Sequence, residues 1–290
     1  MASSFTESLV GVARQAGVDL VGIAPVERFE GLSPEHHPAS IFPETRSVIA
    51  LAKRITRGCL RGTEEGTSLG IYRTYAMNWV PHRFLAYATV AVASYLEDAR
   101  WEAVPLPDLP PETPPMGVPV RPGLPAPNVM VDFIDAAVRC GLGEIGLTGE
   151  LMTPEFGHRQ RVTLILTDAE LEPSDLCDRE VCARCGACAA ACPFDAIDVD
   201  AATEVTLCGK TMTVAPIDAN ACAHCRNGVA PNPSHPAGRP DRLAALCMRS
   251  CSLMQDRRDT LTRPLATAFR DKPAWVIGRD GIARLAGEEG

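Results

Sequence analysis

The chain has few aromatic residues, no long apolar run and no excess of positive charge, and each shortage removes a class of function. Aromatics make up 5% of its 290 residues, which leaves little for stacking against exposed bases. The formal net charge is −8, so a broad surface for nucleic-acid phosphates, which needs clustered Lys and Arg, is not expected. No stretch of about eighteen apolar residues occurs, so no membrane-spanning helix is expected. The first residues, MASSFTESLVGVARQAG, show no basic n-region, no continuous apolar core and no twin-arginine pair, so no export signal is expected. What remains is a chain with 46% hydrophobic residues, ample for a buried core, and a length that suggests about two domains.

Cysteine is the residue in excess. Of the 12 cysteines, four fall in the run Cys182 to Pro193, CARCGACAAACP, spaced C-x2-C-x2-C-x3-C and closed by proline. This is the bacterial-ferredoxin spacing for a 4Fe–4S cluster, in which the fourth cysteine serves a second cluster. Small residues (Ala183, Gly186, Ala187) let a tight loop wrap three thiolates around one cubane, and Pro193 stops the chain from continuing as helix. A disulfide framework or a structural zinc are the competing readings, but zinc sites usually show two separated cysteine pairs. A second set stands downstream as Cys222 and Cys225 (CAHC) with Cys247 and Cys251 (CMRSC). The cross-ligation inferred from the motif gives one cluster to Cys182, Cys185, Cys188 and Cys251, and the other to Cys192, Cys222, Cys225 and Cys247. Residues 226–246 interrupt the second set and no proline follows Cys251, so Cys177 and Cys208 stand as substitutes. Cysteines in metal-ligand spacing imply a reducing cytoplasm rather than a secreted disulfide scaffold.

Helical spacing of apolar residues predicts a helix over 3–16 ending at Gly17, then buried strands at 18–24 (VDLVGIA) and 47–52 (SVIALA). A long helix is expected over 82–99, starting near Pro81, and a short strand over 101–104. Ten prolines in the 23 residues 105–127 exclude regular helix or sheet interior there, and we read an ordered surface loop. A helix over 129–140 runs into the glycine-rich GLGEIGLTG of 141–149, and 161–167 (RVTLILT) reads as a core strand. Composition turns cysteine-rich after Asp168. The expected division is an α/β cofactor or substrate domain over 1–170, followed by a two-cluster domain with a C-terminal tail over 171–290.

The segment GLGEIGLTGELMTPEFGHRQRVTLILTD, followed by the double cysteine motif, resembles epoxyqueuosine reductases and reductive dehalogenases. The likeness extends to VDLVGIA and to the stretch from Tyr75 to His82. It implies an α/β (α+β) fold, with a nitroreductase-like domain of cobalamin-binding type followed by a bacterial-ferredoxin-like domain with two 4Fe–4S clusters. It further implies a base-off cobalamin over Gly141, Gly143 and Gly146, with Thr153, Pro154, Gly157 and Arg159 in the matching TPE-x-G-x-R segment. The bland alternative for these glycines is tight packing between elements. The D-[ST]-A-P context of the epoxyqueuosine reductases' catalytic aspartate is missing. Asp132 and Tyr75 are the catalytic candidates by residue character alone, and a solvated helix carboxylate is the competing reading of Asp132. The resulting expectation is an iron–sulfur oxidoreductase taking electrons from a ferredoxin or flavodoxin and acting on a small molecule or modified nucleoside. An electron-transfer partner without substrate chemistry is the alternative.

Overall fold

The computed structural model describes residues 2–106, 118–123, 129–231 and 239–285; most of the proline-rich segment 105–127 lies outside the described residues. In chain order the elements begin with α1 (Ala2–Gln15), β1 (Leu20–Pro25), β2 (Ser47–Arg54), α2 (Arg57–Glu65) and the single turn α3 (Leu69–Ile71). A wide-turn π-helical stretch (Tyr72–Leu85) leads into α4 (Ala86–Asp98), β3 (Ala103–Leu106) and α5 (Phe133–Arg139). The two-residue strands β4 (Glu144–Ile145) and β5 (Leu151–Met152) precede β6 (Gln160–Thr167) and α6 (Ala187–Ala190). The chain closes with β7 (Thr203–Leu207), β8 (Lys210–Val214), α7 (Ala219–His224), α8 (Leu246–Arg257), β9 (Trp275–Ile277) and β10 (Ala283–Leu285).

These elements form two compact units, both discontinuous in sequence. The first comprises Met1–Lys53, Pro81–Leu142 and Arg161–Asp178, and the second Arg54–Val80, Gly143–Gln160 and Arg179–Gly290. The last crossing, at 178–179, stands near the compositional change that motivates a boundary at 170. The excursions 54–80 and 143–160 carry no compositional mark.

The first unit is built on a sheet of order β1-β2-β6-β3. The first six residues of β2 are all buried, as expected of a strand covered on both faces. β1 runs antiparallel to it, with Leu20 opposite Ala52 and Gly22 opposite Ala50. Gly22 has to be glycine, because a Cβ there would stand 2.3 Å from the carbonyl oxygen of Cys140. The amphipathic face of α1 buries Leu9 and Ala13, and Phe5 stacks on Tyr95 of α4 at 5.3 Å between ring centroids. Each fully buried Leu or Ile, such as Leu96 and Ile49, contributes about 1.5–3 kcal/mol. The helix expected from Pro81 instead includes Pro81, since the preceding turns from Tyr72 are already helical but widened. Wide turns tolerate a residue with no N–H where regular α-helix would kink.

In the second unit the glycine-rich stretch is a hairpin. Glu144 pairs with Met152 and Ile145 with Leu151, and Gly146 N–H donates to the Glu150 carbonyl at 2.9 Å. A second hairpin, β7–β8, turns at Cys208 (φ 47°) and Gly209 (φ 83°), both left-handed, as a two-residue type I′ turn needs. The tail is tied down at the β9–β10 hairpin. Asn227 bonds Ile277 in both directions, at 2.7 and 2.8 Å, and Trp275 Nε1 donates to the Thr63 carbonyl at 2.9 Å.

Candidate metal centres

Two cavities lie within the second unit, and each is walled by four thiols. The first, about 400 Å³ counting its part open to solvent, is lined by Cys182, Cys185, Cys188 and Cys251. The second, about 370 Å³ on the same measure, is lined by Cys192, Cys222, Cys225 and Cys247. The helices explain this sorting. Cys188 sits on α6 and Cys192 just past it, four residues on; Cys247 and Cys251 sit four apart on α8. Residues four apart lie one turn above another on the same helical face. Ser250 Oγ donates to the Ala187 carbonyl at 3.2 Å, fixing α8 beside α6. α8 therefore presents one thiol to each cavity, and Cys188 on α6 and Cys192 just past its end are divided between them in the same way. Cys222 is on α7, whose start is capped by Asp218 Oδ1 accepting from Ala221 N–H at 2.9 Å.

Burial raises four of the eight thiols. It pushes Cys247 up to about 12 against the opposing pull of Arg242, with Cys192, Cys222 and Cys188 adding to the rise. Burial likewise pushes Cys222 up to about 11, and raises Cys251 and Cys188. Each cavity holds two thiols so raised, and these become thiolates only where a cation compensates them. Among the described residues no three Cys, His, Asp or Glu side chains converge as a single metal ion requires. Four thiolates spread around a larger space are what a cubane takes, one per iron. Backbone donors already aim at the sulfurs: Leu147 N–H at Cys182 Sγ and Ala196 N–H at Cys192 Sγ, both 3.3 Å. The residues present fit a 4Fe–4S group in each cavity.

The hairpin of β4 and β5 supports the first cavity. Glu144 is fully buried, and its Oε1 accepts from the Val181 and Cys182 N–H groups at 2.8 and 2.7 Å. Lys210 Nζ lies 2.8 Å from the other oxygen, close enough to pair as an ion but off the hydrogen-bonding angle. Sequence reasoning misses Glu144, which looks like an ordinary polar residue in a glycine loop.

The remaining predicted residues fall as follows. Gly141 belongs to the first unit, where a Cβ would meet the Asp175 carbonyl oxygen at 2.2 Å. At Gly143 it would meet the Met152 carbonyl oxygen at 2.1 Å, and at Gly146 the Met152 side chain at 2.7 Å. The chain itself occupies the space where a side chain would stand at each of these positions, which is reason enough for glycine there. Thr153 Oγ1 bonds Gln160 at 3.2 Å, and the Pro154 carbonyl accepts from Thr262 N–H at 2.9 Å. Gly157 (φ 60°) abuts Gln255. Arg159 is buried with Nε and Nη2 unpartnered, and burial brings it down to about 10. Two orphaned donors on a buried cation suit an anionic group. Asp132 caps α5, accepting from Ile134 and Asp135 N–H at 2.8 and 3.0 Å. Tyr75 is half exposed, edge-on to Trp79 at 5.0 Å between centroids. Asp132 and Tyr75 belong to different units. Neither Cys177 nor Cys208 lines either four-thiol cavity, and Cys140 is buried beside the Val48 carbonyl.

Residues 178–198 match the family described as 4Fe-4S binding domain, so the chain carries an iron–sulfur domain of the ferredoxin kind. The chain is 45% identical over 67 residues, 22% of its length, to a tetrachloroethene reductive dehalogenase of Desulfitobacterium hafniense. It is 36% identical over 77 residues to that of Sulfurospirillum multivorans. It spans 12% and 15% of the lengths of those curated relatives. A solved reductive dehalogenase shares the fold across 100% of this chain and 42% of its own, with a TM-score of 0.57 and 16% identity. The sequence and the mixed α/β fold thus resemble those of iron–sulfur reductases. Among the described residues no helix is long and apolar enough to cross a membrane.

Proposed function

We propose that the chain is an iron–sulfur oxidoreductase that passes electrons through two 4Fe–4S clusters toward a cofactor or substrate. The two four-thiol cavities, sorted as the motif requires, carry this reading. When bound, the clusters supply one-electron transfer at low potential. The chain's own residues do the rest. Cys185 is exposed, so a ferredoxin or flavodoxin can dock on the first cavity's open side. Apolar walls, with Leu147, Val181 and Met254 in the first cavity and Ile197, Ile217 and Val229 in the second, exclude water. Cobalamin is the proposed acceptor, because the solved relative is described in terms of B12-dependent dehalogenation, and Arg159 would offer its orphaned donors to a corrinoid's anionic side. The nitroreductase-like outline of residues 1–170 and a small-molecule or modified-nucleoside substrate belong to the same proposal. Chain packing accounts for Gly141, Gly143 and Gly146 without a ring, which favours the second reading, an electron-transfer protein without substrate chemistry.

Anaerobically purified protein should hold about eight iron and eight sulfide per chain. Iron near four would reject the second cluster, and zinc would reject both. Cys251→Ala should destroy the cluster of Cys182, Cys185 and Cys188, while Cys59→Ala should leave iron loading intact. Two intact clusters in Cys251→Ala would overturn the cross-ligation. Anaerobic titration with cobalamin then separates the readings: a changed corrinoid spectrum supports the reductase, and no binding with both clusters present supports the carrier.

A further inference from the structure

The two cavities share a wall plan and differ in what else reaches them. Arg242 forms part of the second cavity's wall and is 2% exposed. Its Nη2 donates to the Thr148 carbonyl at 2.8 Å and to Glu150 Oε1 at 2.5 Å, while Nη1 is buried with no partner. An unpaired interior donor is costly, and on a buried cation more so. Arg242 stands with Cys192, Cys222, Cys225 and Cys247 in one wall, which puts its positive charge beside the second set of thiols. The Glu150 carboxylate sits on the Nη2 side, so it balances the guanidinium without covering the orphaned arm.

The first cavity has no such group. The corresponding buried side chain is Gln255, 5% exposed, whose amide nitrogen and oxygen both lack partners. Its neighbouring cations are screened: Arg258 is exposed, and Arg184 is half-buried and paired with Glu180. Charges facing water act weakly, whereas an interior charge acts through a low dielectric.

Building on the two-cluster reading, we infer that Arg242 sets the potential of the second cluster, holding it above that of the first. Reduction by one electron, drawn from a low-potential one-electron carrier, adds one negative charge to a cluster. A buried cation in the wall that carries its thiolates favours that reduced form, and net charge near the cluster is among the levers that tune such centres. An electron admitted on the Cys185 side therefore comes to rest on the Cys192 side.

The test is a redox titration of the loaded protein under anaerobic conditions, with dithionite as reductant and electron paramagnetic resonance as the readout. The signal lost in Cys251→Ser identifies the first cluster. Arg242→Gln should lower the second cluster's midpoint by at least about 59 mV, a tenfold change in its reduced-to-oxidised ratio, and leave the first unmoved. Arg242→Lys should recover part of the shift. Glu150→Gln removes the counter-charge and should move the second midpoint upward, so the inference stays testable if Arg242→Gln fails to load iron. Unchanged midpoints in Glu150→Gln and in any loaded Arg242→Gln would overturn the inference, as would equal shifts of both clusters. About four iron in the unaltered protein would overturn the two-cluster reading itself, and is told apart by that count.

Discussion

In the hairpin of β4 and β5 the glycines are small because the chain touches itself: Gly143 lies against the Met152 carbonyl and Gly146 against the Met152 side chain. In the run from Cys182 to Cys192 small residues serve the opposite end, leaving room in front of the thiols for something the chain does not contain. Both segments are conspicuous in the sequence, and both resemble the same families. Only one of them supplies thiols to a cavity, while the other lends it Leu147 as an apolar wall. The other is the support on which it rests, joined through Glu144 to the N–H groups of Val181 and Cys182. A glycine records only that a Cβ is excluded, and says nothing of what excludes it. A thiol at fixed spacing names its chemistry.

The largest effect that would sharpen this contrast is at Glu144. Glu144→Leu leaves the Val181 and Cys182 N–H groups without their acceptor and removes the carboxylate that pairs with Lys210. Breaking a buried pair in this way costs about 3–5 kcal/mol. We expect a lowered urea midpoint together with loss of iron from the first cluster before the second. Glu144→Gln keeps one acceptor oxygen and should fall between. Equal loss from both clusters would mean that the hairpin stabilises the unit generally and does not position Cys182.

Next in size is Gly143→Ala. The added Cβ would press on the Met152 backbone, which cannot swing aside as a side chain would, and overpacking of this sort costs about 1–3 kcal/mol. The measurable outcome is a lower unfolding midpoint in protein never exposed to a corrinoid. A variant of unchanged stability that loses cobalamin binding would reverse the comparison and restore these glycines as a ring-facing floor.

The legible part of the molecule follows from the same distinction. The strands at 20–25 and 47–54 and the helix 2–15 declare themselves, because a buried face leaves a periodic pattern in one stretch of chain. The sorting of thiols is readable from motif logic, and the equal x3 spacing of Cys188 with Cys192 and of Cys247 with Cys251 is a further signal for it. Arg242, Gln255 and Glu144 are invisible by contrast. Each matters through a partner 37 to 94 residues away, or through the lack of one, and no local pattern encodes that. The π-helical stretch through Pro81 is hidden for a related reason, since proline reads as a boundary wherever only regular helix is considered.

The smallest effect concerns His158, which ties the segment after the hairpin to α8. The ring is 1% exposed, its Nε2 lies 3.4 Å from Ser252 Oγ, and Nδ1 has no partner. Burial, with Arg159 and Arg242 adding to it, holds the imidazole down at about 3, from an ordinary value near 6.5. The folded state therefore keeps this histidine neutral while the unfolded chain takes up a proton as the pH drops. A depressed folded value contributes stability that is present above 6.5 and is lost as pH falls toward 3. The slope is about 1.4 kcal/mol per pH unit for one proton. Carboxylates add their own acid sensitivity, so the informative quantity is a difference. Urea midpoints of the parent and of His158→Gln, compared from pH 7 down to 4.5, should converge as the parent loses the histidine's share. Parallel curves would mean that His158 titrates in the fold as it does in the unfolded chain, and that burial does not hold the ring neutral.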